Sequence, residues 1–123
     1  MLPPARHTRL FTDTDGESHF KEVETELTLT EFAPSSPPLG LSTPVNASHV
    51  AFLRAPVDWI GDWHVSAARN LFVVISGEWE VEASDGERRT FGPNSILLVE
   101  DTSGKGHRSH VLSNSLAVVV QLS

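Results

Sequence analysis

Short apolar runs separated by Gly, Asn and Asp dominate the last two-thirds of the chain, and this pattern predicts strands rather than helices. From Thr25 to Phe32 the letters TELTLTEF alternate apolar and polar positions, which is typical of a half-buried strand. The segment from Ala33 to Pro44 is broken by prolines and predicts a loop. Further short strands are predicted at Val50 to Arg54, Trp63 to Ser66, Leu71 to Ser76, Trp79 to Ala83, Arg88 to Phe91, Ile96 to Glu100, Arg108 to Leu112 and Leu116 to Leu122.

Turn residues between these runs predict how the strands connect. Ser76-Gly77 and Ser84-Asp85-Gly86 each stand between two runs where Gly can supply a positive φ, so we expect two successive antiparallel hairpins. Within WEVEA, the residues Trp79, Val81 and Ala83 share one face, and the glutamates between them share the other. The close spacing of many strands without a convincing helix predicts an all-β barrel or sandwich.

Composition narrows the classes of partner. The chain of 123 residues contains no cysteine, so disulfides and thiolate metal sites are excluded. Lys and Arg total 9 against 16 Asp and Glu, a net charge of −7, which argues against binding to nucleic acid. The N-terminal letters MLPPARHTRLF lack the apolar core of a signal peptide, and no later run approaches a membrane span. We therefore expect a cytoplasmic protein without a membrane partner.

The stretch from His64 to His107 resembles the two signature motifs of the cupin superfamily. The first motif places two histidines, a glutamate and a glycine at steps that are occupied here by His64, Ser66, Asn70 and Gly77. The second motif is matched by Gly86, by the letters FGPN from position 91, and by His107. The runs FTDTDGESHF and FGPNSILLVEDTSGKGH are also similar to those of a group of small single-domain cupins.

This resemblance implies a small cupin-type double-stranded β-helix, or jelly-roll barrel. Residues 1–123 would form one cupin domain, with an N-terminal strand and Pro-rich loop at 1–45 and the signature barrel at 46–123. Small cupins commonly pair through such N-terminal segments, so we expect a homodimer. The resemblance also implies that the site lies in the barrel lumen.

The candidate site residues follow from these motif positions and from strand alternation. His64 and His107 are the candidate proton donor and acceptor, because an imidazole titrates near neutral pH. The candidate ligand-binding residues have lumen-facing or rim positions, and they are Ser66, Asn70, Phe72, Val74, Trp79, Ser109 and Trp63. His110, Arg69 and Arg108 have positions from which they could also reach the pocket.

The motif departures argue against a tightly bound metal. Metal-binding cupins use three histidines and a carboxylate, whereas Ser66 and Asn70 here replace two strong ligands. We therefore expect no cofactor and metal-independent acid–base chemistry of isomerase, cyclase or lyase type on a mid-sized, largely apolar organic molecule. Three alternatives remain. One is an oxygenase whose divalent metal is held by His64, His107 and a third ligand such as Asn70 or His110. The second is a non-catalytic ligand-binding or sensor cupin, and the third is a barrel whose lumen is filled by side chains and which only dimerises.

Overall fold

A computed structural model of the chain describes residues 2–123 and consists of strands, turns and loops, without a helix among those residues. The predicted all-β class is therefore confirmed. The strands, in chain order, are β1 (Ala5–Thr12), β2 (Ser18–Thr25), β3 (Thr28–Thr30), β4 (Leu39–Leu41), β5 (Ala47–Ala55), β6 (Ile60–His64), β7 (Asn70–Ala83), β8 (Arg88–Phe91), β9 (Ile96–Val99) and β10 (His107–Leu122). Within this part of the chain, no helix long and apolar enough to cross a membrane is present.

The main sheet has 8 strands, and its central path runs β2-β1-β9-β7-β10-β5. Strand β6 pairs with β10 and strand β8 with β7, outside this path. The β1–β9 pairing is parallel and the other pairings are antiparallel, so the sheet is mixed. This arrangement is consistent with the predicted small cupin-type jelly roll. Strands β3 and β4 form a separate two-stranded ribbon.

The two longest strands, β7 and β10, run through both halves of the sheet. Strand β7 pairs with β9 through residues 70–73 and with β8 through residues 79–82. Strand β10 pairs with β6 near its start and with β5 near its end. The β7–β10 ladder shifts register between Val111 and Ala117, where the two strands bend. Buried residues from both halves, such as Val74 and Val81, join one core cluster.

Gly77 has the predicted positive φ, but the predicted hairpin at Ser76-Gly77 is wrong. The two runs on either side of Gly77 form the single strand β7, and the φ of 77° bends this strand instead of reversing it. A Cβ atom on Gly77 would lie 2.3 Å from the backbone oxygen of Asn114 on β10. Only glycine allows this close crossing of the two bent strands. The second predicted hairpin, at Ser84-Asp85-Gly86, is confirmed and joins β7 to β8.

The N-terminal region contributes more strand than its composition indicates. Strands β1 and β2 pair through all eight residues of β1, and the turn between them is held by Asp13, whose carboxylate accepts from the backbone N–H groups of Asp15 and Glu17. Leu10 is fully buried and Phe20 is nearly so, and both belong to the core. Of the predicted strand from Thr25 to Phe32, Thr25 ends β2 and Thr28–Thr30 form β3, which pairs with a strand from the predicted Pro-rich loop.

Strand register sorts the sheet into an inner face, which contains the core, and an outer face. On the inner face Phe72 lies between Leu97 and Val119, and the WEVEA letters bury Trp79, Val81 and Ala83 as predicted. We use the term outer face for the apolar residues that register places on the other side of the same strands. They are Val50, Phe52, Leu71, Val73, Ile96, Leu98, Val118 and Val120. Phe52 is 80% exposed there.

Candidate functional site

Two histidines meet where β6 ends and β10 begins. His64 and His107 are register partners in the β6–β10 ladder, and their ring centroids lie 4.7 Å apart. Gly106 makes this approach possible, because a Cβ atom at that position would lie 2.1 Å from the carbonyl oxygen of His64. Its φ of 75° is also in the left-handed region that favours glycine. The motif histidines are therefore brought together by backbone geometry.

Each imidazole uses its Nδ1 atom for a hydrogen bond that fixes its tautomer. His64 Nδ1 lies 2.7 Å from the backbone oxygen of Asp62, which can only accept, so this Nδ1 carries the proton. His107 Nδ1 lies 2.5 Å from Asp101 Oδ2. The Nε2 atoms of His64 and His107 have no hydrogen-bond partner within residues 2–123. Both rings are therefore held at one nitrogen and free at the other.

Asp101, which bonds to the His107 imidazole, was not singled out by the cupin motif positions. It is fully buried, and its Oδ1 atom is the one buried side-chain polar atom without a hydrogen-bond partner in the described part of the chain. Asp101 follows Glu100 in the loop between β9 and His107. A single acidic residue in a polar loop gives no periodic signal, so the sequence could not separate it from surface charge.

The loop that carries Asp101 is anchored by the N-terminal hairpin. The Ser18 hydroxyl donates to the backbone oxygen of Gly106 at 2.7 Å and accepts from the Ser84 N–H at 2.7 Å. The Lys105 N–H donates to the backbone oxygen of Gly16 at 2.9 Å. Because Ser18 is fully buried, its bond to Gly106 is shielded from water and holds the start of β10 in place.

The histidines line an apolar cavity on the inner face of the sheet. Its volume is about 180 Å³. The polar side chains in its wall are His64, His107 and Ser109, and no side-chain hydrogen bond engages the Ser109 hydroxyl within residues 2–123. The remaining wall is apolar or aromatic and consists of Leu53, Trp59, Phe72, Trp79, Val81, Leu97 and Val99. An apolar chamber with few convergent polar groups is the usual form of a small-molecule site.

Five of the candidate residues line this cavity together: His64, His107, Phe72, Trp79 and Ser109. Trp79 presents its edge to Phe72 at 5.0 Å between centroids. Its indole N–H donates to the Ser115 hydroxyl at 2.8 Å, and this hydrogen bond holds the ring in place.

The other candidates lie outside the cavity wall. The expectation for Ser66 and Asn70 required a strand through residues 65–69, but that segment is a turn, so the alternation of faces is lost. Asn70 Nδ2 donates to the Ser66 hydroxyl at 3.2 Å, and that hydroxyl donates to the Ala68 carbonyl at 2.6 Å. Val74 is 1% exposed and packs in the core. Trp63 is 43% exposed and faces away from the cavity.

Trp59 and four aliphatic residues complete the cavity. The Trp59 ring packs edge-on against Trp79 at 5.9 Å and lies over Gly61, where a Cβ atom would be 2.7 Å from the indole. Trp59 is 45% exposed, so it lies at the mouth of the cavity. The strand letters ILLV place Leu97 and Val99 on one face, a period-2 signal from which they could have been found.

The nearby cationic residues are paired elsewhere. Arg69 donates to Glu100 at 2.7 Å, and Arg108 donates to Glu82 at 2.9 Å. Burial alone would raise the pKa of Glu100, but the guanidinium groups of Arg9 and Arg69 together hold it below its usual range.

The charged cleft on the other side of β7 and β10 is a second cavity. It has a volume of about 260 Å³, and its wall includes Glu82, Arg108 and His110. Arg108 and Glu82 neutralise each other there, and His110 Nε2 lies 3.1 Å from Asp58 Oδ1. We place the candidate site in the histidine cavity, because its polar groups are free.

The residues at the motif positions do not fit the metal centre that cupins commonly carry. In residues 2–123 no group of three or more His, Cys, Asp and Glu side chains is arranged to hold a metal ion. Ser66 and Asn70 bond to each other, and the Nδ1 atom of His107 is bound to Asp101. Two imidazole nitrogens alone form an incomplete donor set for a first-row transition metal.

Comparisons with known proteins bear on the fold alone. No protein-family model matches the chain, and no curated protein gives a significant match. Among solved structures, protein NMB1881 from Neisseria meningitidis aligns over 65% of this chain and 81% of its own, at 18% identity and a TM-score of 0.50. A protein described as a putative ethanolamine utilization protein Q from Salmonella typhimurium LT2 aligns over 97% of this chain and 96% of its own, at 13% identity and a TM-score of 0.45. The first likeness supports the β-rich fold.

Proposed function

We propose that this protein is a cupin-type enzyme that moves protons on a small organic molecule without a metal, as an isomerase, cyclase or lyase. The observation that carries the proposal is the pair of imidazoles whose Nδ1 atoms are occupied and whose Nε2 atoms are free in one apolar cavity. A positioned acid and base close to one substrate is what proton transfer to and from carbon requires.

The proton steps follow from the two tautomers. A neutral imidazole that carries its proton on Nδ1 has a lone pair on Nε2, so it accepts a proton from the substrate at that atom. The second imidazole donates from Nε2 when it is doubly protonated. One turnover removes a proton from carbon at one histidine and returns a proton at the other, so that the charge of the pair is conserved. His64 is exposed and can exchange its proton with water afterwards.

The cavity favours a neutral and compact substrate. Its wall contains no Lys or Arg, so a carboxylate or phosphate group would be desolvated there without a counter-charge. The volume of about 180 Å³ is below the roughly 300 to 1,000 Å³ of pockets that hold drug-sized ligands. A small ketone, aldehyde or enone with an apolar body fits these limits, with Ser109 as a hydrogen-bond donor to its oxygen.

Deuterium exchange on a panel of candidate substrates tests this function. The wild type is incubated in D₂O with small neutral ketones, aldehydes and enones, and loss of the proton next to the carbonyl is followed by ¹H NMR. We expect catalysed exchange for at least one member of the panel. His64→Ala and His107→Ala should each lower its rate roughly a hundredfold, the lower end of what a general acid or base contributes.

The double variant and one control separate catalysis from packing. The double His→Ala variant should be little slower than the worse single variant, because groups that serve one transition state are non-additive. His110→Ala is the matched control, since His110 lies on the same strand but outside the cavity. Exchange that is absent from the whole panel, or equal in wild type and both single variants, would refute the proposal. Near-stoichiometric iron, zinc, nickel or manganese in protein purified without chelator would favour the metal-dependent oxygenase instead.

A further inference from the structure

We infer that Asp101 is the positioning residue of this site, and that it makes His107 the proton acceptor of the histidine pair. This inference rests on the proposed function and assigns the roles that the function leaves open. It starts from the bond of 2.5 Å between Asp101 Oδ2 and His107 Nδ1. It also depends on the burial of both partners, since Asp101 is 0% and His107 8% exposed.

A buried carboxylate with a free oxygen is costly for the fold. Buried polar atoms in proteins nearly always have a hydrogen-bond partner, and those that do not call for an explanation. Asp101 Oδ1 has no such partner within residues 2–123, so the carboxylate is only half satisfied. An apolar residue at this position would avoid the desolvation cost. The carboxylate is therefore better explained by its action on His107 than by its contribution to stability.

Among the histidines, His107 alone combines a carboxylate partner with a place in the cavity wall within the described chain. His19 bonds to Asp13 and Asp85 through both ring nitrogens, so it keeps no free nitrogen for a ligand. His110 contacts Asp58, but both side chains are on the outside of the sheet. His64 faces the cavity, but its Nδ1 partner is a neutral backbone carbonyl.

The two imidazoles take different roles because His107 bonds to a carboxylate and His64 to a backbone carbonyl. When His107 takes a proton at Nε2 it becomes a cation, and the negative charge of Asp101 stabilises that cation across the Nδ1–H bond. His64 has only a carbonyl dipole for the same purpose, and it is exposed at the end of β6. His107 therefore takes the proton from substrate carbon, and His64 donates a proton and is recharged from water.

The tautomer of His107 tests this role directly in the resting protein. In the wild type, ¹⁵N NMR of the imidazole should show the proton on Nδ1 and a lone pair on Nε2. Asp101→Ala removes the one acceptor that Nδ1–H has within residues 2–123, so His107 should shift to the form protonated on Nε2. Asp62→Ala is the matched control. It should leave the tautomer of His64 unchanged, because His64 bonds to the backbone oxygen of Asp62 and not to its carboxylate.

The exchange assay gives the second readout. In Asp101→Ala the exchange rate at saturating ketone should fall roughly a hundredfold, the lower end of what a general base contributes. The concentration for half-maximal rate should stay unchanged, because Asp101 does not line the cavity. If Asp101→Ala does not fold, Asp101→Asn keeps the shape, and its amide can face His107 in either orientation. His107 should then show both tautomers.

The outcomes separate this inference from the function on which it rests. An unchanged His107 tautomer and exchange rate in the Asp101 variants, together with lost exchange in His107→Ala, would overturn the role of Asp101 and leave the proposed function standing. A shifted tautomer in a protein that exchanges no compound of the panel would support the positioning of His107 and refute the function. A fall in melting temperature with an unchanged tautomer would identify Asp101 as purely structural, and would also overturn the inference.

Discussion

Gly106→Ala should damage both the fold and the histidine pair, and Gly86→Ala provides its matched control. Both glycines have a positive φ, 75° at Gly106 and 96° at Gly86. A Cβ atom on Gly86 would meet nothing within 4 Å, whereas one on Gly106 would lie 2.1 Å from the carbonyl oxygen of His64. Both substitutions therefore place a non-glycine residue at a positive φ, and only Gly106→Ala adds a steric clash with the backbone.

The magnitudes follow from these two contributions. A non-glycine residue in the left-handed region costs about 1–2 kcal/mol, and this cost applies to both variants. Forcing a methyl group into a packed site adds about 1–3 kcal/mol, and this second cost applies only to Gly106→Ala, because the atoms it meets are backbone and cannot rotate away. We expect a loss of about 1.5 kcal/mol for Gly86→Ala and about 3.5 kcal/mol for Gly106→Ala.

Thermal unfolding measures the difference. For a chain of 123 residues, each kcal/mol corresponds to a shift in Tm of roughly 4 °C. Gly86→Ala should therefore lower Tm by about 6 °C and Gly106→Ala by about 14 °C. Imidazole ¹⁵N signals of His64 and His107 should move only in Gly106→Ala, because β6 must shift away from β10. Equal Tm losses in the two variants, or unchanged histidine signals in Gly106→Ala, would refute the reasoning.

Two further predictions concern pH and assembly. The hydrogen bond to Asp13, aided by Asp85, raises the pKa of His19 above its ordinary 6.5. The contribution of protonated His19 to stability is therefore present below pH 6.5 and is lost as the pH rises through the raised pKa. The Tm difference between wild type and His19→Gln should be larger at pH 5.5 than at pH 8.5, and equal differences at both values would contradict this. The N-terminal strand β1, through which the sequence led us to expect dimerisation, pairs with β9 of its own chain. We therefore expect the homodimer to form through the outer face, whose apolar residues can pack against a second copy. Light scattering at micromolar concentration should give a dimer for the wild type and a monomer for Phe52→Glu. The control Val57→Glu, in an exposed loop, should remain a dimer. A monomeric wild type would contradict this expectation.

The strands were largely predictable because period 2 marks a half-buried sheet. Strand β8 matches its predicted bounds, and the alternation of WEVEA assigned the buried face of β7 correctly. The N-terminal hairpin was missed because its outward positions are charged and its inward positions include small polar residues such as Ser18. Buried hydroxyls such as that of Ser18 are stabilised by partners distant in the chain, which local patterning does not reveal.

The cavity lining was predictable only in part, and chiefly from two positions that match a family motif. His64 and His107 were singled out because both match family positions, and strand alternation then pointed to Phe72 and Ser109. Alternation failed for Ser66 because a turn interrupts the strand before Asn70, and a turn of that kind leaves no clear periodic signal.

Ser66 and Asn70, which stand where the cupin motif has metal ligands, belong to the same local structure as Asp101. Ser66 and Asn70 bond to each other and to the Ala68 carbonyl, which closes the turn between β6 and β7. The backbone N–H of Ser66 in this turn donates to the backbone oxygen of Asp101 at 3.0 Å. The segment that offers no metal ligand thus holds the residue whose carboxylate bonds to His107. If Asp101 acts as we infer, the bond between Ser66 and Asn70 and the orientation of the His107 imidazole are two results of one local structure.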